Sequence, residues 1–240
     1  MRRHDVVAGL VALAVLTGGV VSLAAAPPTS PTLNAPAPKD AIVLFDGTNL
    51  DAWATQKSLE WETPGGPGKW KITPESALEV VPGAGSIITK KRFGDFKLHV
   101  EFRLLGGSVN SGVYLLSRYE VNIKDSYGQT EGAPCAALGN CAPAGAPPLA
   151  VNAALPDLRW QSLDMDFRAP RFDAGGERTA KARLTVVYNG VKIYDNVELE
   201  APKGAAKRMG EAPNGPIMLQ EHGSALQFRN IWIVGKPSEK

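Results

Sequence analysis

"FGDFKLHVEFRLL", residues 93–105, places Phe96, Leu98, Val100, Phe102 and Leu104 on one side of an extended chain and Lys97, His99, Glu101 and Arg103 on the other. Successive strand side chains point to opposite faces, so this period of two predicts a strand with one face in a core and one in water. His99, among charged neighbours, is expected at the surface. The period returns in "WQSLDMDFR" (160–168), where Leu163, Met165 and Phe167 alternate with Ser162, Asp164 and Asp166. "ARLTVVYNGVKIYDNVEL" (182–199) sets Asn189-Gly190 between two β-rich runs, a strong hairpin signal. "PIMLQEHG" (216–223) and "LQFRNIWIV" (226–234) add two late strands. Nowhere do apolar residues hold a helical period over three turns, and 25 Gly with 19 Pro favour turns. Many short antiparallel strands in one domain imply an all-β, two-sheet antiparallel jelly-roll sandwich.

The ends of the chain differ from this middle. Arg2 and Arg3 precede an uncharged apolar run from Val6 to Ala26 that closes in small residues, the pattern of a secretory signal over residues 1–26. The alternative is an uncleaved N-terminal membrane anchor, since the run is long enough to span a bilayer. Residues 27–39, "PPTSPTLNAPAPK", are read as an extended Pro/Ala linker, and residues 40–236 as one domain. The expected location is periplasmic or secreted, with no membrane contact after cleavage. In an exported chain the two cysteines, Cys135 and Cys141, are expected to form a disulfide. A net charge of +2 without Lys/Arg clusters gives no footprint for nucleic acid.

The chemistry must come from few residues. Outside the signal only His99 and His222 remain, which excludes a three-histidine zinc site, and no phosphate loop or nucleophile elbow is present. In "NSGVYLLSRYEVNIKDSYG" (110–128), Val113, Leu115, Tyr119, Val121 and Ile123 form an apolar face. Arg118, Glu120, Asn122 and Lys124 occupy the alternate positions, as a wet surface or as the floor of a site. Glu120 and Asp125 would lie roughly 16 Å apart in a regular strand, too far for a retaining glycosidase pair. Gln220 and His222 share one face at the end of a strand; the histidine either serves a site or bridges two strands. Residues 129–156, rich in Ala, Gly and Pro, either cap a pocket or form a surface insertion. Trp53, Trp61 and Trp70 could stack on sugars, although core packing is the commoner use.

Six segments then appear in a telling order. They are "IVLFDGTNLDAW" (42–53), "FGDFKLHVEFRL" (93–104), "NSGVYLLSRYEVNIKDSYG" (110–128), "RWQSLDMDFRAPRFD" (159–173), "ARLTVVYNGVKIYDNVEL" (182–199) and "GPIMLQEHGSALQFRNIWI" (215–233). Together they closely resemble the 3-keto-disaccharide hydrolase family, whose fold is a concanavalin A-like jelly roll. Leu-Gln-x-His-Gly stands intact at Leu219 to Gly223. Asn122 replaces the Gln of the family's Tyr-Glu-x-Gln-Ile, and the aromatic residue usual near Cys135 is missing. The resemblance implies cleavage of glycosides oxidised at C3, with a small carbohydrate as substrate. It implies catalytic roles for His222 and Glu120, substrate contacts from Gln220, Asn122 and Arg118, and a divalent metal cation held by Glu120 and His222. The alternatives on the same fold are a non-catalytic carbohydrate-binding module or lectin and an ordinary glucanase.

Overall fold

The computed structural model describes residues 29–57, 60–130, 132, 134–143, 151–235 and 237–238, so the expected signal lies outside the described residues. Among them no helix is long and apolar enough to cross a membrane. The alternating segments become strands of two antiparallel sheets, as their period requires.

The first sheet runs β15 (Val191–Glu198), β14 (Arg183–Tyr188), β11 (Gln161–Arg168), β8 (Phe96–Leu104), β17 (Leu226–Val234), β5 (Leu78–Glu79) and β4 (Lys71–Ile72), with β1 (Ile42–Phe45) also paired to β17. The second runs β10 (Tyr119–Lys124), β9 (Asn110–Leu115), β16 (Met218–Leu219), β6 (Ile87–Thr89), β2 (Trp53–Lys57) and β3 (Glu60–Pro67). Two small pairs, β7 (Arg92–Phe93) with β18 (Pro237–Ser238) and β12 (Arg171–Phe172) with β13 (Arg178–Ala180), complete the strands. A short 3-10 helix, Gly204–Met209, precedes β16. This is the two-sheet all-β sandwich that the sequence implies.

The core lies between the sheets. Phe96, Leu98, Val100 and Phe102 of β8 meet Val113, Leu115, Tyr119 and Val121 of β9 and β10, and Trp53 is buried with them. Trp53 and Trp70 are core residues whose indole N–H groups donate to the Leu44 and Gly85 carbonyls. β9 and β10 join through Leu116 and Ser117, both with positive φ, the type I′ geometry that matches strand twist.

The outer face of the first sheet corrects two expectations. His99 is not a surface residue: it is fully buried, stacked on Trp232 and bonded through Nδ1 to Asp164 at 2.6 Å. Register explains this, because β8 pairs His99 with both Asp164 and Trp232 from neighbouring strands. Residues 29–39 are also not a spacer. Ser30 bonds Ser162 at 2.5 Å, the Asn34 N–H donates to Glu101, and the Ala35 carbonyl accepts from Asn230 and Trp232. This strap covers Glu101, which is fully buried and also bonded by Arg229 at 2.6 Å. A buried carboxylate needs several donors, and the strap supplies one.

Candidate active site

The polar face of β10 lies on the outside of the second sheet. Pairing aligns Glu120 with Tyr114, Met218 and Ile88 in one row. In the next row Asn122 faces Gly112, whose carbonyl accepts the Gln220 N–H at 3.0 Å. In the third, Lys124 faces Asn110, whose amide meets His222 Nδ1 at 2.9 Å. Glu120, Asn122, Gln220 and His222 therefore share one face, as their sequence period implies.

Glu120 occupies a built seat. Its carboxylate fills the space above two glycines: a Cβ on Gly112 would lie 3.0 Å from Oε1, and one on Gly139 would lie 2.3 Å from Oε2. Gly139 comes from the 134–141 segment, which pairs irregularly along the free edge of β10. Asn140 clamps that edge, accepting the Glu120 N–H at 3.0 Å and donating to the Arg118 carbonyl at 2.8 Å. The segment thus walls the site. Burial pushes the Glu120 carboxyl pKa up, against smaller lowering effects from the Tyr114 hydroxyl and from His222. Burial likewise raises the Tyr114 phenol, and the negative charge of Glu120 adds to the effect. Tyr114 also accepts a hydrogen bond from Gln220 Nε2 at 3.2 Å. Among the described residues the buried Gln220 Oε1 has no partner.

His222 is exposed at the other end of this line, so Glu120, Tyr114, Gln220 and His222 span three strands. Counting rungs and strands, the Glu120 and His222 Cα atoms lie roughly 15 Å apart, room for a sugar ring between their side chains. Among the described residues no three His, Cys, Asp or Glu side chains converge as a cation cage. Among the described residues Glu120 and His222 thus have no third donor of that kind beside them.

Beside the line opens a cleft of about 430 Å³, lined by Thr55, Gln56, Trp61, the 83–86 turn, Met218, Gln220, Glu221 and His222. Trp61 curls over the sheet from β3 and meets Tyr114 edge-on at 5.6 Å. Arg208, on the 3-10 helix, places its guanidinium 5.1 Å from the Trp61 ring centre.

Three expected residues take other roles. Arg118 is 3 % exposed and ion-paired with Glu62; it also donates to the Leu116, Met209 and Gly210 carbonyls. With these donors engaged it holds the wall of the site together and is not placed to position a sugar. Cys135 and Cys141 are free, buried thiols rather than a disulfide. Their sulfurs turn to different carbonyls of β10, Asn122 at 3.6 Å and Glu120 at 3.8 Å, and burial pushes the Cys141 thiol up to about 12. Sequence reasoning missed Tyr114, Gly112 and Gly139. Gly112 carried a signal, because glycine within a strand often marks close approach by another group.

The comparisons with known proteins bear on this arrangement. Residues 40–234 match the 3-keto-alpha-glucoside-1,2-lyase-like domain. The chain belongs to this family. A crystal structure of a candidate glycosyl hydrolase from Parabacteroides distasonis ATCC 8503 is 28% identical, with a TM-score of 0.67 over 83% of this chain and 85% of that one. A second candidate glycosyl hydrolase from the same organism, 16% identical, shares the fold with a TM-score of 0.54 over 82% of this chain and 94% of its own. No curated protein matches. Membership in the 3-keto-alpha-glucoside-1,2-lyase-like family gives the domain a carbohydrate-directed, hydrolase- or lyase-type assignment.

Proposed function

We propose that this protein cleaves glycosides already oxidised at C3, by eliminating the anomeric substituent and then adding water, with net hydrolysis. The observation that carries the reading is the seat of Glu120: a desolvated carboxylate of raised pKa, fixed over two glycines on the groove face. Raising a carboxylate's pKa makes its ionised form a stronger base. A C3 ketone acidifies the C2–H, and Glu120 takes that proton while the electron pair moves to form the enolate. Collapse of the enolate restores the ketone, makes the C1=C2 bond and releases the C1 oxygen, which His222 protonates. Water then adds at C1 and a proton returns to C2. Gln220 and Asn122 orient ring hydroxyls, and Tyr114 holds Glu120 in place. Positioned donors and a fixed base are the standard sources of rate in such a step.

Export to the periplasm or medium, where small glycosides would be met, is part of this proposal. The test compares a 3-keto glucoside bearing a chromogenic leaving group with its unoxidised parent. Release from the keto sugar alone supports the reading. Release from the parent supports a glucanase, and binding without release from either supports a carbohydrate-binding module.

A further inference from the structure

His222 is exposed, and the chain bends through it and Gly223, where φ is 81°. An exposed side chain on such a corner changes rotamer in nanoseconds or less unless a partner holds it. We infer that Asn110 is the positioning residue for His222, holding the imidazole by Nδ1 so that Nε2 is the nitrogen presented to the groove. The inference rests on the cleavage reading above and concerns how its proton donor is aimed.

Register brings the two together. β16 pairs Leu219 with Val113, and three residues further along the same antiparallel register His222 comes opposite Asn110. The corner is then tied to β9 on both sides of Gly223. On one side the Asn110 Nδ2 meets His222 Nδ1 at 2.9 Å. On the other the Asn110 backbone N–H donates to Ser224 Oγ at 3.2 Å, and that hydroxyl donates to the Ser108 carbonyl at 3.3 Å. Among the described residues the imidazole has no second hydrogen bond, so its orientation depends on Asn110.

The chemistry of the contact fixes the rest. An amide nitrogen only donates, so the Nδ1 that meets it is bare and the ring proton sits on Nε2. His222 lines the cleft and Asn110 does not, which leaves Nε2 on the groove side. When the C1–O bond breaks, its electron pair stays on the departing oxygen, and that oxygen takes the Nε2 proton. The ring must regain a proton from water before the next turnover, so its holder has to accept either state of Nδ1. An amide can do so: its N–H donates to a bare Nδ1 and, turned over, its oxygen accepts from an Nδ1–H. A carboxylate or an ammonium would serve only one of these states.

The experiment measures kcat/KM for wild type, Asn110→Ala, His222→Ala and the double variant on p-nitrophenyl and methyl 3-keto glucosides. Nitrophenolate departs without a proton, whereas methoxide needs one, so a badly aimed donor shows on the methyl glycoside. Losing one neutral hydrogen bond, Asn110→Ala should fall about 3- to 10-fold on the methyl glycoside and less than about twofold on the nitrophenyl one. The double variant should be no worse than His222→Ala, because Asn110 acts through that ring. An unchanged Asn110→Ala, equal losses on the two substrates, or a further loss on top of His222→Ala overturns the positioning role and leaves the cleavage reading standing. If wild type cleaves neither keto sugar, the cleavage reading fails, and long-range 1H–15N spectra of the neutral His222 ring decide the contact. A proton on Nε2 in wild type that moves to Nδ1 in Asn110→Asp, whose carboxylate only accepts, supports it. The same nitrogen protonated in both proteins overturns it.

Discussion

Gly139→Ala adds one methyl group against the Glu120 carboxylate, where an ideal Cβ lies 2.3 Å from Oε2 and 2.7 Å from Cδ. Ordinary contact for a Cβ begins near 3.4 Å, so the carboxylate must retreat by about 1 Å. A reacting group misplaced by about 1 Å can lose on the order of 10²-fold in rate. The backbone itself accepts alanine, because Gly139 is exposed and does not have a positive φ. Stability should therefore change by less than about 1 kcal/mol. The assay is kcat/KM on a 3-keto glucoside beside the melting temperature, with Glu120→Asp as a partner mutation. Aspartate is one methylene shorter and withdraws from the new methyl, so the double variant should be little worse than Glu120→Asp alone, a strongly non-additive cycle. Activity of Gly139→Ala within threefold of wild type, or a fall of many degrees in melting temperature, would refute the idea that glycine shapes the carboxylate's seat.

Four other outcomes follow from particular contacts. Because burial raises the Glu120 pKa, its neutral form favours the fold; that contribution is present below 4.5 and lost as pH rises through the raised value. Glu120→Gln should abolish turnover yet gain melting temperature over wild type more at pH 8 than at pH 4, and an equal difference at both contradicts this. Arg118→Ala should cost on the order of 2 kcal/mol in denaturant unfolding, since it removes a buried guanidinium that serves part-exposed Glu62 and three backbone carbonyls; lost activity with unchanged stability would return Arg118 to substrate binding. Both thiols should resist alkylation in the folded protein and both should label after unfolding without reductant, whereas no label would establish a disulfide. For His99, burial lowers the pKa but hydrogen bonds to Asp164 and Glu101 outweigh it and raise the value to about 8, so its stabilisation is full below 6.5 and lost through 8. For Glu101, burial raises the pKa but the bonds from His99, Asn230, Arg229 and the Asn34 N–H bring it to about 2, so its stabilisation is full above 4.5 and lost through 2. The strap should accordingly hold best between 4.5 and 6.5. Wild type should lose melting temperature from pH 6 to pH 9 more than His99→Gln does; equal losses would contradict the pairing of His99 with Asp164 and Glu101.

Much of the fold was legible because a period of two is a local property. Phe96 to Leu104 had to present one face to a core wherever the strand was placed, and Asn189-Gly190 had to turn. The shared face of Glu120 and Asn122, and of Gln220 and His222, followed from the same rule. What alternation could not show was which remote segment covers each face. His99 looked like a surface residue because Asp164, Trp232 and Asn34 are distant in sequence, and only sheet register brings them together. Arg118 lies in phase with Glu120, but its neighbour Glu62 comes from a strand at the far end of the sheet. Pro/Ala composition hid the useful polar atoms of Ser30 and Asn34. The two cysteines suggested a bridge by compartment, whereas the irregular pairing of residues 134–141 turns their sulfurs to separate carbonyls.

The strap also fixes an orientation. Thr29 and Ser30 reach the sandwich on the outer surface of the first sheet, beside Ser162, while the groove opens on the outer surface of the second. Two sheet layers about 10 Å apart separate these surfaces. The strap and the groove therefore occupy opposite outer faces, so a substitution that frees the Asn34 N–H from Glu101 alters a surface two layers away from Glu120.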